Sequence, residues 1–192
     1  MKTTMRLAAL TLAALPLLQG CFPLAVTGVG AAALMATDRR TAGTYIEDEG
    51  IELKCLGQLR EFNGRGAHID ATSYNRRVLL TGEAPTEDLR REAEAAVRRI
   101  ENVRDVVNEL EIAGASSLAS RGNDALITSN VKARMLNNSR FSPAHVKVVT
   151  EANVVFLMGL VSQDEGDAAV EVTRTAQGVS RVVKVFEYVT LK

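Results

Sequence analysis

His68, His145, Cys21, Cys55 and 23 acidic side chains are the groups in this 192-residue chain whose types could support chemistry. Imidazole is the usual general base and a common metal ligand. A nucleophilic site would add a Ser or Cys held by that base, and a structural zinc site would add further donors at short spacing. Neither histidine has a cysteine or a second histidine at ligand spacing, and no serine or aspartate groups with either one. The glycines lack the strand-linked pattern of a phosphate loop. The carboxylates in "EDEGIE" (47–52) and "RREAEAAVRR" (90–99) read as solvated helix faces. The expectation is a protein with no catalytic residues, no metal and no cofactor.

The histidines are instead the first sign of a repeat. His68, Ile69, Val78, Leu80 and Gly82 match His145, Val146, Val155, Leu157 and Gly159, all 77 apart. Val103, Val106 and Val107 match Val179, Val182 and Val183 at a spacing of 76, as Ile51, Cys55 and Leu59 match Ile127, Val131 and Met135. A shared place at the start of a strand makes the histidines structural. Cys55 stands where the second copy has Val131, which makes it a packing residue.

The repeat fixes the element order. Positions 51, 55, 59 and 127, 131, 135 form an i, i+4, i+8 apolar stripe, which predicts a first helix in each unit. Two strands joined by a tight polar turn follow, at about 68–74 and 78–82, then 145–150 and 154–159. Thr86 and Ser162 are candidate caps of second helices, at about 86–100 and 163–176, with Ala93, Ala96 and Ile100 over Ala169, Val172 and Ala176. Last strands, about 105–112 and 181–190, close the units. The predicted fold is α+β: two tandem helix-strand-strand-helix-strand units, each a three-stranded mixed sheet covered by two helices. At roughly 70 residues each is marginal alone, so mutual packing is expected. The segment 113–122, "AGASSLASRG", reads as a flexible linker.

Ahead of these units, Lys2 and Arg6 precede an uncharged run from Leu7 to Leu18, the layout of a secretory signal (1–20) too short to span a membrane. "LQGC" (18–21) resembles the bacterial lipobox, which implies cleavage before Cys21, diacylation of its thiol with palmitate-class chains, and acylation of the new amino terminus. Each buried methylene contributes about 0.8 kcal/mol, so two or three chains anchor firmly. Phe22 rather than Asp follows the cysteine, which by the sorting pattern of such lipoproteins implies the periplasmic face of the outer membrane. Residues 21–45 then read as acylated cysteine and flexible tether. Removing Lys2 and Arg6 leaves 21 basic against 23 acidic side chains, which excludes a basic nucleic-acid-binding protein.

The helix-strand-strand-helix-strand order, the Val-x-Leu-x-Gly strand ends and "NVRDVV"/"GVSRVV" resemble the BON domain. Two copies, at 46–112 and 123–192, behind a lipobox resemble the dual-BON outer-membrane lipoprotein family, with "ATDRR", "NVVFLMGLV" and "GVSRVVKVF" the closest stretches. The resemblance implies an outer-membrane lipoprotein facing the periplasm that binds anionic phospholipid, supports envelope integrity and gathers at the division site. Charge points to the second unit: residues 42–112 carry 10 basic and 15 acidic groups, residues 113–192 carry 9 and 7. The family's phospholipid-contacting positions carry over to Leu126, Asn130, Val131, Lys132, Arg134 and Leu136. Leu126 stands where relatives can have an aromatic, Asn130 where they can have a base, and Val131 also belongs to the core stripe. The alternative is a scaffold that binds envelope proteins through its first unit.

Overall fold

The structure is a computed structural model that describes residues 38–190. The signal segment and Cys21 lie outside the described residues. Helix α1 (Ala42–Gly64), strands β1 (His68–Tyr74) and β2 (Arg77–Ala84), helix α2 (Glu87–Arg98) and strands β3 (Asp105–Asn108) and β4 (Glu111–Ile112) form the first unit. Helix α3 (Leu118–Leu136), a 3₁₀ turn (Pro143–His145), strands β5 (Val146–Glu151) and β6 (Val154–Val161), helix α4 (Gln163–Arg174) and strand β7 (Arg181–Tyr188) form the second. In each unit an antiparallel hairpin is extended by a parallel strand across a helix, in the orders β1-β2-β3 and β5-β6-β7. This is the predicted pair of mixed sheets. The first unit's last strand breaks at residues 109–110, opposite Gly82, and β4 resumes on β2 in unchanged register.

The stripes predicted for the first helices are their buried faces: Ile51, Cys55 and Leu59 in α1, and Ile127, Val131 and Met135 in α3. Thr86 caps α2 by accepting from the Leu89 amide, and Ser162 forms a capping box with Glu165 at α4. The helices cover one face of each sheet. The opposite faces pack on each other, with Tyr74 and Leu79 of the first unit against Val154, Phe156, Met158 and Val185 of the second. Central strands buried on both sides read as continuous apolar runs, hence "VVFLMGLV" in β6. The molecule is therefore a four-layer stack, helices outside and two sheets within.

Strand-end glycines have a steric cause. A Cβ on Gly82, whose φ is +108°, would lie 2.0 Å from the His68 carbonyl oxygen, and one on Gly159 would lie 2.3 Å from that of His145.

The structure revises three local expectations. The tether is engaged from Asp38 onward: Arg40 pairs with Asp38 and Asp48 and stacks 4.0 Å from the Tyr74 ring centroid. The linker 113–122 contains the start of α3 and is tied back by the Ser116 amide, which donates to Glu83 at 3.0 Å. Asp48, within the stretch read as a solvated face, is buried. Its carboxylate accepts from Ser73 Oγ (2.7 Å) and from the amides of Asn75 (2.8 Å) and Arg76 (2.7 Å). Asp124, 76 residues on, accepts from the Ala152 (3.1 Å) and Asn153 (2.8 Å) amides. Both carboxylates hold two-residue turns whose central residues have positive φ, Asn75 and Arg76 in one, Ala152 and Asn153 in the other.

Replacing Asp48 by Ala strands two part-buried turn amides, the buried Ser73 hydroxyl and Arg40. The expected loss is about 3–5 kcal/mol of unfolding free energy. Urea denaturation of wild type and Asp48→Ala measures it, and a loss below about 1 kcal/mol would remove the turn-holding role.

Candidate functional site

Helix α3 starts at Ser117, whose side chain accepts from the Ser120 amide, and ends at the Asn137 cap. Its inner face is fixed by Asp124, Ile127, Val131 and Met135. The outer face carries Leu118, Leu126 and Leu136, which are 82%, 71% and 73% exposed, with the small residues Ala125, Ser129 and Ala133 between them. At 3.6 residues per turn Lys132 and Arg134 fall on opposite flanks of this strip. Both are exposed, and Arg134 donates to Thr175 Oγ1 at 3.3 Å. Asp124 is the helix's one acidic residue, and it is buried on the turn amides, so the outer surface of α3 has no negative side chain.

Of the six positions carried over from the family resemblance, Leu126, Lys132, Arg134 and Leu136 share that outer surface, and Asn130 is half-buried at its edge. Val131 is corrected: its side chain is fully buried in the second unit's core and is not available at a surface.

Helix α1 differs in the same place. Its outer face exposes Ile46, Leu53 and Leu56 beside Glu49, Lys54 and Arg60, with glycines at 43, 50, 57 and 64. A Cβ at Gly50, Gly57 or Gly64 would meet nothing within 4 Å.

Cys55 is fully buried, and burial, reinforced by Glu52, pushes its thiol up to about 11, so it is a packing residue and an unreactive one.

The seam between the units gathers ionisable groups that sequence spacing did not bring together. His68 on β1, Glu83 on β2 and Glu151 on β5 each place a donor atom within 4.8 Å of the other two. Glu83 is buried, and burial followed by repulsion from Glu83, Asp124 and Asp70 pushes the Glu151 carboxyl up to about 7. Elsewhere on the seam, Lys147 bonds Glu52 (2.7 Å) and the Ser73 carbonyl (3.2 Å), and Glu187 pairs with Arg104 and accepts from Asn75. Arg39 reaches the second unit with two bonds to Glu165 (2.6 and 2.8 Å) and one to the Leu160 carbonyl (2.8 Å). The repeat spacing of 76 between Asp48 and Asp124 was the one signal that could have revealed the turn carboxylates. Contacts between the two units leave no such periodic trace.

This fold, two hairpin-plus-crossover units facing each other, is that of a BON-domain protein, and the BON domain pattern matches residues 47–114 and 123–190. The chain belongs to the dual BON-domain outer-membrane lipoprotein family. It is 38% identical over 183 residues to "Outer membrane lipoprotein DolP" of Haemophilus influenzae, covering 94% of each chain. It is 36% identical over 158 residues to a "21 kDa hemolysin" of Actinobacillus pleuropneumoniae, covering 79% of each. A more distant similarity, 28% over 144 residues and 73% of this chain against 72% of the other, is to "Osmotically-inducible protein Y" of Escherichia coli. No helix among the described residues is long and apolar enough to cross a membrane.

The Arg39 pair sets an acid limit for the stack. Hydrogen bonding to Arg39, with help from the Ser162 amide and from His145, holds the Glu165 carboxyl down at about 2. A carboxylate depressed on folding contributes stability that is complete above its unfolded value of about 4.3 and is lost as pH falls through the folded value. The stability difference between wild type and Glu165→Gln, followed by urea melts, should be constant from neutrality to about pH 5 and vanish towards pH 2. A difference independent of pH would mean that the pair does not persist in solution.

Proposed function

We propose that this chain is a non-enzymatic lipoprotein, anchored through acylated Cys21 at the periplasmic face of the outer membrane, whose second BON unit binds anionic phospholipid through α3. Binding of this kind supports outer-membrane integrity and would gather the protein at the division site. The observation that carries the reading is the outer surface of α3: three exposed leucines, two flanking cations and no carboxylate. Apolar side chains enter the interface while Lys132 and Arg134 extend along it to headgroup phosphates. Each such cation near an anionic surface contributes about 1 kcal/mol. The name of the Haemophilus relative, an outer membrane lipoprotein, agrees with the proposed location.

The test isolates the helix from the anchor. A Cys21→Ser chain is mixed with phosphatidylglycerol vesicles and, separately, phosphatidylcholine vesicles. Amide shifts confined to about residues 126–138 are expected with the anionic lipid alone. Lys132→Glu and Arg134→Glu should each weaken flotation about fivefold or more, and Leu126→Asp should also weaken it. Equal binding to both lipids, or variants that float like wild type, would overturn headgroup recognition by α3.

One observation favours a second reading, an envelope scaffold acting through the first unit. A glycine inside a helix costs about 1 kcal/mol relative to alanine, and nothing among the described residues uses the missing Cβ at Gly50 or Gly57. A smooth strip beside exposed Ile46, Leu53 and Leu56 suits the close approach of a partner's helix. Gly50→Leu with Gly57→Leu should keep the fold and lipid binding but abolish crosslinking of the first unit to an envelope protein. Crosslinks that persist unchanged in the double variant would exclude this face.

A further inference from the structure

We propose that His68, Glu83 and Glu151 form a binding site for a zinc-class divalent cation that joins the two BON units. The three residues come from three strands and both units, and their donor atoms lie within 4.8 Å of one another. His68 Nδ1 is 3.4 Å from Glu83 Oε2, close to the ~3.4 Å edge of a tetrahedron with metal bonds of about 2.1 Å. Buried polar atoms normally have partners, yet His68 Nδ1 and Glu151 Oε1 are both buried with no hydrogen-bond partner among the described residues. Two buried, unpartnered donor atoms thus converge beside a third, the set that a cation would take as ligands.

The surroundings have the form of a second shell. Asp70 Oδ2 stands 3.6 Å from His68 Nε2, on the far side of the ring. With a cation on Nδ1 the ring proton would sit on Nε2 and face this carboxylate, the arrangement that orients metal-bound histidines. Glu83 is held by the Ser116 amide at 3.0 Å. The cleft lined by His68, Asp70, Arg121, Asp124, Thr128 and Glu151 opens to solvent and supplies both a path and a fourth position for water. Repulsion is the other half of the argument. Glu151 is crowded by Glu83, Asp124 and Asp70 with Arg121 as the opposing charge, an arrangement that a divalent cation relieves. The imidazole selects a transition cation over Mg²⁺ or Ca²⁺, which take oxygen ligands.

The experiment is calorimetric titration of Zn²⁺ into the EDTA-stripped, purified full chain, with a parallel thermal melt. One saturable site per chain and a raised Tm are expected, because a ligand bound only by the native state stabilises it. Mg²⁺ and Ca²⁺ at equal concentration should not compete. Glu151→Gln, which keeps the side chain's shape, and His68→Gln should each weaken binding by about 100-fold or more. X-ray absorption of the zinc-loaded wild type needs no variant and should show imidazole nitrogen and oxygen donors without sulfur. Absence of saturable binding overturns the proposal. So do undiminished binding in Glu151→Gln, or sulfur in the zinc shell, which would put the ion on a cysteine.

Discussion

A carboxylate on the first helix of each unit reaches under the sheet and holds the turn of the hairpin. Asp48 and Asp124 do this in equivalent places, and much of the geometry follows from them. A two-residue turn with both central residues in the left-handed region matches the twist of a hairpin, but each non-glycine residue there costs about 1–2 kcal/mol. Arg76 and Ala152 are among those residues. Charged acceptors contribute about 1.5–3 kcal/mol per bond, enough to offset that strain. The same bonds fix the helix relative to the hairpin, so the apolar stripe of the helix meets the sheet in one register. In the first unit Arg40 neutralises the buried charge and stacks on Tyr74, which brings the chain before α1 into the fold.

Tyr74 then leads outward to the second unit. It ends β1 on the face that packs against Val154, Phe156 and Met158, and its hydroxyl donates to the His145 carbonyl at 3.4 Å. Since the sheets cover each other, neither can offer that face to a ligand. The outer helix faces, those of α1 and α3 among them, and the rim of the seam, where ionisable groups collect, stay accessible. Arg39 crosses the same seam, so two neighbouring arginines hold opposite units, Arg40 the first and Arg39 the second.

Periodic features were legible in the sequence and non-periodic ones were not. The stripes at 51, 55, 59 and 127, 131, 135 declared the helices because burial on one face imposes a helical spacing. Alignment of Cys55 with Val131 placed the thiol in the core for the same reason. Asp48 escaped, because a carboxylate among Glu47, Glu49 and Glu52 has the composition of a solvated face, and only its bonds to Ser73, Asn75 and Arg76 distinguish it. Ser116 and Leu118 escaped because small polar residues that read as linker can also be a helix start when a buried acid such as Glu83 waits for an amide. The convergence of His68 and Glu83 with Glu151 depends on how the two units pack, and residues so distant in sequence carry no shared period.

The repeat also shows how one fold carries two different outer surfaces. Core positions are constrained from both sides, by helix stripe and strand, and keep their apolar character in both copies. The outward positions of α1 and α3 lie outside the cores of the described residues and differ between the copies. In α1 they are glycines and exposed aliphatics beside Glu49, Lys54 and Arg60. In α3 the one acidic residue is Asp124, buried on the turn amides, while Lys132 and Arg134 are exposed. On the proposed function, an anionic membrane would attract the cations of the second surface, which no carboxylate of α3 offsets. Because the two helices occupy opposite outer layers of a single stack, α3 can lie on a membrane while α1 faces away from it. The proposed lipid contact of α3 and the proposed partner contact of α1 are therefore geometrically compatible in one molecule, and neither requires the seam to open.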